Sequence, residues 1–422
     1  MGKKEAKKLI GIFIGGIVLI IGAIFLIPFL MQNNEDTKEV WERESGISSN
    51  TENSEIVKAE DTEINETEST EFQETESEEE DNSLRIVMVG DMLMHMKVVN
   101  SGKQEDGTYN FDHLFENVKD TIEEADLAIV NQETILGGEE LGYSGYPSFN
   151  SPTELGDAEV KAGFDVILHA TNHALDKKKN GVVNCMEFWD TNYPDIEYLG
   201  INKSQQEQDE DIYVYEENGI KIAILNYTYG TNGIKTPSDM PYLVNYLKED
   251  KIRADVEKAE SIADFTIVCP HWGTEYRLES DAKQEKWTKL FFECGVDLVI
   301  GTHPHVIEPV EWITDEQGNG MLVYYSIGNF VNGTSSTKGD LTHRMVGGIA
   351  DVTLERNESG EVVIADYDAI PIVSHVAEGK EFTVYYLSDY TSELAEENLI
   401  NLQDADFSLE ECNKVVDQVW GE

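Results

Sequence analysis

The stretch LRIVMVGDMLMH, residues 84–95, decides the fold of this 422-residue chain. Its first half, LRIVMV, is a short apolar run with the length and composition of a buried β-strand. Its second half changes at once to a glycine, then Asp91 and, four residues later, His95. The stretch therefore predicts a buried strand that ends in side chains able to bind a metal or move a proton.

Similar apolar runs recur along the chain and alternate with amphipathic segments. Besides residues 84–89, predicted strands lie at 126–130, 164–170, 221–227, 264–270, 296–301 and 321–327. Predicted helices lie at 111–124, 152–162, 178–192, 247–262 and 281–294. This alternation predicts an α/β fold with a mixed sheet flanked by helices. We predict one folded domain over residues 84–385, with antiparallel strands near its end, followed by a loop and helix over 386–422.

An apolar segment near the N-terminus is long enough to cross a membrane. Leu9 to Met31 contains no charged residue, and a helix of that length spans about 34 Å. Lysines precede it and acidic residues follow it, so the positive-inside tendency places Met1 in the cytoplasm. A cleaved signal peptide is the alternative, although the small-x-small cleavage site is missing. We predict a basic stub and transmembrane anchor over 1–31, and a single-pass cell-membrane protein whose main domain is extracellular.

Residues 32–83 have the composition of a disordered linker. They carry 19 acidic and 3 basic residues and show no apolar periodicity. Such a segment buries too little apolar surface to offset the entropy lost on ordering. We predict an extended acidic tether, with weak calcium capture by its carboxylates as the alternative role.

The charge of the whole chain restricts its ligands. The formal net charge is −52 at pH 7, a field that repels nucleic acid and anionic lipid surfaces. A polyanionic ligand is therefore expected to bind only through intervening metal cations. Four scattered cysteines do not form a disulfide scaffold. Buried free thiols are the favoured interpretation, and one disulfide is the alternative.

Polar side chains directly follow five of the predicted strands, where ligands bind in open α/β sheets. Five of the nine histidines lie at these strand ends, together with two carboxylates and an amide. The residues of this set are Asp91, His95, Glu133, Asn172, His173, His271, His303 and His305. A single histidine after a strand is usually a hydrogen-bonded loop residue, whereas this clustering predicts a metal site. Imidazole with carboxylate is the ligand mixture that suits manganese, iron or zinc.

The spacing of His303 and His305 suggests two ions. On an extended segment, alternate side chains lie on one side, so each histidine is expected to bind one metal. Two ions a few ångströms apart activate a water and bind the leaving oxygen of a phosphoester-type substrate. Arg277 is a candidate for binding an anionic group beside them, with a salt bridge to surface acids as the alternative.

Six motifs in order resemble those of the bacterial capsule (poly-γ-glutamate) synthesis proteins of the CapA type. They are GDMLMH, NQET, TNHALD, PHWGTEY, GTHPHVIEPVEW and YSIGNF, spread over about residues 84–332. The resemblance implies the fold of the calcineurin-like metallophosphoesterases, a mixed β-sheet sandwich flanked by helices. It also implies two divalent metal ions and an anionic polymer or phosphoester as substrate.

The resemblance implies a role for each residue of the site. The implied ligands of one metal are Asp91, His305 and, as an additional ligand, His95. Those of the second metal are Asn172, His271 and His303. Glu133 would bridge the ions, and His173 would be the general acid for the leaving group. Asp-x3-His replaces the phosphoesterase Asp-x-His, and NQET replaces GDxxD; either change can alter the metal or leave one site filled.

Two functions from different classes follow from these features. The first is a metal-dependent hydrolase outside the membrane, cleaving a phosphoester or a γ-glutamyl amide. The alternative is a non-catalytic accessory or scaffold subunit that works with other polyglutamate synthase subunits in capsule synthesis, export or anchoring. A surface-displayed binding module is a third, weaker interpretation. His173 favours catalysis, because a purely structural metal site needs no general acid.

Overall fold

The computed structural model describes residues 82–334, 340–377 and 382–421. The predicted anchor, Leu9–Met31, and nearly all of the predicted linker lie outside these residues. The strands are β1 (Ser83–Leu93), β2 (Leu127–Asn131), β3 (Val166–Leu168), β4 (Glu197–Leu199), β5 (Tyr213–Glu217), β6 (Ile220–Thr228), β7 (Phe265–His271), β8 (Leu298–Ile300), β9 (Val310–Thr314), β10 (Gly320–Tyr324), β11 (Asn329–Asn332), β12 (Val346–Arg356), β13 (Val362–Val376) and β14 (Phe382–Tyr386).

Helices occupy many of the segments between these strands. They are α1 (Met96–Ser101), α2 (Lys119–Glu123), α3 (Glu154–Ala162), α4 (Lys178–Asn192), α5 (Gln205–Glu210), α6 (Glu249–Ile262), α7 (Ala282–Cys294), α8 (Thr342–Met345), α9 (Ser392–Glu397) and α10 (Leu409–Val419). Among the residues described here, none of the helices combines the length and the apolar character needed to cross a bilayer.

The strands form two mixed sheets. The first sheet has the order β14-β13-β12-β1-β2-β3-β4, and β11 also pairs with β1. The second sheet has the order β5-β6-β7-β8-β10-β9. Strands β1 to β4 are parallel neighbours, as are β6, β7, β8 and β10. Antiparallel pairing adds β12, β13 and β14 to the first sheet and β5 and β9 to the second. In the parallel centre of each sheet, the carboxyl ends of the strands therefore lie at the same edge.

Alternating side chains make each sheet apolar on both faces. In β1, Ile86 and Met88 pack into the core between the sheets, while Val87 and Val89 face the other way. That outer face of the first sheet is covered by α3 and α4, and the outer face of the second by α6 and α7. The order of layers is thus helix, sheet, sheet, helix. The mixed α/β fold predicted from the sequence is confirmed.

Each of the seven predicted strands is present, and one predicted helix is largely wrong. Residues 111–124 form only a short turn and the five-residue α2. Short strands such as β5 and β9 were not predicted, because YVYEE and VEWIT carry charged residues on a half-exposed sheet edge. All four cysteines are free thiols, as the sequence favoured.

The core between the sheets provides a test of this packing. Ile267 of β7 is fully buried between the sheets, so Ile267→Ala removes three carbon atoms from a closely packed region. We expect a loss of about 2–5 kcal/mol in the free energy of unfolding, measured by urea denaturation. Ile262→Ala is the matched control, because Ile262 ends α6 and is 42% exposed. Equal losses in the two variants would contradict the sandwich packing.

Candidate metal centre

The carboxyl ends of strands from both sheets meet at one place. Strands β1, β2 and β3 bring Asp91, Glu133 and the Asn172–His173 pair from the first sheet. Strands β7 and β8 bring His271 and the His303–His305 loop from the second. The candidate metal-binding and acid–base groups, which lie far apart in sequence, are thus gathered by the parallel topology of the two sheets.

A local irregularity of β1 fixes the position of Asp91. The register of β1 shifts just before Asp91 in its pairing with β2 and just after Asp91 in its pairing with β11. The Asp91 amide donates to the carbonyl of Gly328 at 3.0 Å. At Gly90 a Cβ atom would lie 2.0 Å from that same carbonyl oxygen. Glycine is therefore required directly before Asp91, which explains the GD pair.

Two carboxylates occupy the centre of the cluster. Asp91 is fully buried; its Oδ1 accepts from Asn131 Nδ2 at 2.7 Å, and its Oδ2 lies 3.1 Å from His305 Nδ1. Glu133 is equally inaccessible, and neither of its carboxylate oxygens has a hydrogen-bond donor among the described residues. Its oxygens lie 3.7 Å from His305 Nδ1 and 3.9 Å from His271 Nε2. Glu133 is thus surrounded by imidazoles without being hydrogen-bonded to them.

The histidines around these carboxylates are held by other polar groups. His271 lies between Asn172 Oδ1 and Thr302 Oγ1, with both distances 3.0 Å. The ring of His303 is 4.8 Å from that of His271, and its Nδ1 is buried with no partner among the described residues. His305 Nδ1 also lies 3.1 Å from Asn329 Oδ1. These contacts orient the rings towards one another.

The His-x-His segment is not extended, which corrects the sequence-based expectation. His303 has φ 100° and His305 has φ 60°, both in the left-handed region. That region costs a non-glycine residue on the order of 1 kcal/mol. The two rings lie 5.8 Å apart because the backbone turns, and not because the side chains alternate along a strand. Strained backbone of this kind is typical of functional sites.

Burial and proximity shift the pKa values of the cluster in opposite directions. Burial raises the pKa of Glu133 well above its usual range, although His305 opposes this. Burial alone would lower the pKa of His305, but Glu133 and Asp91 outweigh it and raise that pKa to about 10. Burial, with repulsion from neighbouring histidines, lowers the pKa of His271 and that of His303. His271 and His303 are therefore neutral, the form of imidazole that binds metals.

The donor set fits a divalent transition metal. Ligand atoms of Glu133, His303 and His305 all lie within 4.8 Å of one another, and the three residues are buried. An ionised carboxylate without a counter-charge costs several kcal/mol to bury. A cation among these atoms would satisfy the unpaired oxygens of Glu133 and the unpaired Nδ1 of His303 together.

His173 is held beside the cluster by a second carboxylate. Its Nδ1 lies 2.7 Å from Asp176 Oδ2, which also accepts from the Phe149 amide at 2.6 Å. Its Nε2 lies 3.9 Å from Glu133 Oε1. The Phe149 ring packs edge-on against the imidazole at 4.7 Å. One nitrogen of His173 is thus fixed by Asp176 while the other faces the cluster.

A cavity of about 630 Å³ opens onto His173 and His305. His95 lies in its wall, half-buried and 5.4 Å from the Phe149 ring; burial lowers its pKa to about 4. Arg277 is exposed, 3.9 Å from Glu279, and does not line this cavity. The arginine that does line it is Arg344, which the sequence analysis did not single out. No strand precedes Arg344 directly, so the strand-end rule gave no signal for it.

Comparison with known proteins identifies the family. Residues 85–334, which hold every strand and loop of this cluster, match the family described as "Bacterial capsule synthesis protein PGA_cap". The chain belongs to this family. The resemblance seen in the six motifs is confirmed.

Two relatives and two solved structures illustrate the similarity. The chain is 26% identical to the capsule biosynthesis protein CapA of Bacillus anthracis, over 60% of this chain and 60% of the relative. It is 27% identical to the PGA biosynthesis protein CapA of Bacillus subtilis, over 60% of this chain and 64% of the relative. The match thus spans less than two thirds of either relative. A similar solved structure is that of a 5′-nucleotidase precursor from Thermus thermophilus, with 13% identity and a TM-score of 0.42 over 80% of this chain and 58% of that chain. Another is that of an NAD nucleotidase from Haemophilus influenzae, with 12% identity and a TM-score of 0.42 over 80% of this chain and 66% of that chain.

The unpaired carboxylate of Glu133 predicts how metal binding depends on it. Glu133→Gln keeps the size of the side chain but removes the charge. Loss of a residue that only hydrogen-bonds to a metal ligand lowers metal affinity by roughly 10- to 100-fold, so we expect manganese affinity to fall further than this when a ligand itself is changed. Titration calorimetry on the metal-free protein measures this affinity.

Glu159→Gln is the matched control for that experiment. Glu159 of α3 is also fully buried with both oxygens unpaired, but it lies outside the cluster. We expect unchanged manganese affinity in this variant. Equal affinity in wild type and Glu133→Gln would show that the metal binds elsewhere.

Proposed function

We propose that this protein is a membrane-anchored, extracytoplasmic CapA-like protein with a metal-dependent hydrolase centre that acts in capsule poly-γ-glutamate synthesis, export or anchoring. The observation that carries the proposal is the unpaired Glu133 carboxylate, buried among three imidazoles next to the His173–Asp176 pair. A purely structural metal site accounts for the ligands, whereas it leaves His173 and its orienting carboxylate without a role.

The residues present would hold two divalent ions of manganese, iron or zinc. His305 lies near Oε2 of Glu133 and beside Asp91, whereas His271, which contacts Asn172, lies near Oε1 of Glu133. When bound, such ions supply Lewis acidity and an activated water. The remaining roles belong to the chain itself: to place the donors, to exclude bulk water from the buried cluster and to deliver a proton.

His173 is the residue that would deliver the proton. Asp176 would accept a hydrogen bond from Nδ1–H, which leaves Nε2 as the nitrogen that faces the cluster and would carry the proton to be transferred. A leaving-group oxygen or nitrogen in the adjoining cavity would take that proton as its bond breaks. Phe149 fixes both partners, since its amide binds Asp176 and its ring packs on His173.

The substrate would be anionic, a phosphoester or a γ-glutamyl polymer. The chain carries a net charge of −52, so an anion approaches only where local cations outweigh that field. Metal ions in the cluster provide this locally. The predicted anchor at Leu9–Met31 and the acidic tether would place such a centre outside the membrane, where a capsule polymer is exported, and within reach of other synthase subunits.

The role of His173 is tested by His173→Ala. We expect the variant to retain its metal content while its hydrolytic rate falls by roughly 10²- to 10⁴-fold, the usual contribution of general acid catalysis. Metal analysis, combined with rates on phosphoester and γ-glutamyl substrates, measures both quantities. His113→Ala is the control, because His113 contacts Ser101 away from the cluster and is expected to leave the rate unchanged.

Two other results would distinguish the hydrolase from the non-catalytic accessory function. Wild-type turnover in His173→Ala would reject its role as general acid. A metal-loaded wild-type protein that cleaves neither class of substrate would instead favour the non-catalytic accessory function.

A further inference from the structure

Arg344 lines the cavity next to the buried cluster, and within the described part of the chain its side chain lacks the ion pair that most arginines form. The guanidinium carbon of Arg344, in α8, lies 3.6 Å from the centre of the Tyr276 ring. Its Nε is buried and has no acceptor among the described residues. Among those residues, no carboxylate lies within ion-pair distance of Arg344, in a chain with 83 acidic residues and 31 basic ones.

The backbone around Arg344 is held firmly against the site. Its carbonyl accepts from Asn329 Nδ2 at 3.0 Å and from Asn332 Nδ2 at 3.2 Å. Asn329 is the same residue whose Oδ1 lies 3.1 Å from His305 Nδ1. Arg344 and the His305 ring are therefore positioned by one shared side chain.

Tyr276 connects the arginine to the cluster from the other side. Its ring stacks on that of His305 at 5.9 Å, and its amide donates to the carbonyl of Pro304 at 2.8 Å. Tyr276 has φ 65°, a conformation that costs a residue with a side chain on the order of 1 kcal/mol. In this strained conformation the Tyr276 ring lies against the Arg344 guanidinium at the edge of the cluster.

We propose that Arg344, supported by Tyr276, is a specificity-determining residue that binds a carboxylate of the substrate beside the metal centre. A guanidinium presents paired N–H donors that match the two oxygens of a carboxylate, and the Nε of Arg344 has no acceptor among the described residues. The substrate class rests on the proposed function: each residue of a γ-linked glutamate polymer carries an α-carboxylate close to its amide bond. Lys97 of α1 lines the same cavity as a second cation, and Glu275 lines it as an acid.

Binding to the full-length protein in detergent, loaded with manganese, tests this assignment. The probe is a γ-linked glutamate trimer, and its affinity is measured by titration calorimetry. We expect Arg344→Gln to weaken binding by about tenfold, the size of one lost charge-assisted hydrogen bond. Arg344→Lys is expected to recover part of this loss, since the charge is retained while the paired donors are not. Metal content and the midpoint of thermal unfolding should stay at wild-type values.

Two controls isolate the carboxylate contact. Arg277→Gln removes a cation outside the cavity and should leave affinity unchanged. The same trimer with its α-carboxylates amidated should bind wild type weakly and be insensitive to Arg344→Gln. Phenyl phosphate serves as the competing anion: if only its affinity depends on Arg344, the residue binds a phosphate and the carboxylate assignment is wrong.

Failure of this inference can be told apart from failure of the proposed function. If the trimer binds through Arg344 but no substrate is cleaved, the carboxylate subsite is supported and the hydrolase function is rejected. If substrate is hydrolysed but wild type and Arg344→Gln bind the trimer with equal affinity, the hydrolase function is supported and the carboxylate subsite is rejected. Absence of trimer binding to wild type also overturns the subsite.

Discussion

Two carboxylates buried side by side impose the main constraint on this structure. Asp91 and Glu133 are almost inaccessible to water, and the oxygens of Glu133 have no hydrogen-bond donor among the described residues. Burying an ionised carboxylate costs several kcal/mol unless a positive charge compensates it. In the protein chain alone, protonation of His305 and a raised pKa of Glu133 supply part of that compensation. The remaining donors, neutral and converging, are those that a metal cation would use.

Much of the surrounding architecture can be understood as a response to this constraint. Both sheets direct the carboxyl ends of their parallel strands to one point, which lets distant residues share a centre. The irregularity at Asp91, the glycine before it and the left-handed backbone at His303 and His305 each cost stability locally. The large apolar cores on either side of the sheets provide the free energy that offsets these costs.

The sequence was informative where one physical signal dominated. Apolar runs such as residues 84–89 specified the buried strands, and the polar residues at their ends indicated which side chains would meet. The sequence did not predict the placement of side chains that depends on tertiary packing. The geometry of the His303–His305 loop follows from backbone turns that no periodicity reports, and Arg344 reaches the cavity from a four-residue helix far along the chain. Arg277 had the right chemistry and the right neighbourhood in sequence, but its side chain is on the surface.

We expect the Asp91–Glu133 cluster to be a metal centre. Anomalous X-ray diffraction from crystals of the manganese-loaded protein, collected at the manganese absorption edge, tests it most directly. We predict anomalous peaks bounded by Asp91, Glu133, His271, His303 and His305, with Glu133 in contact with each ion found. A map without a peak there, with the Glu133 carboxyl in contact only with protein groups or water, would show that the cluster is not a metal centre.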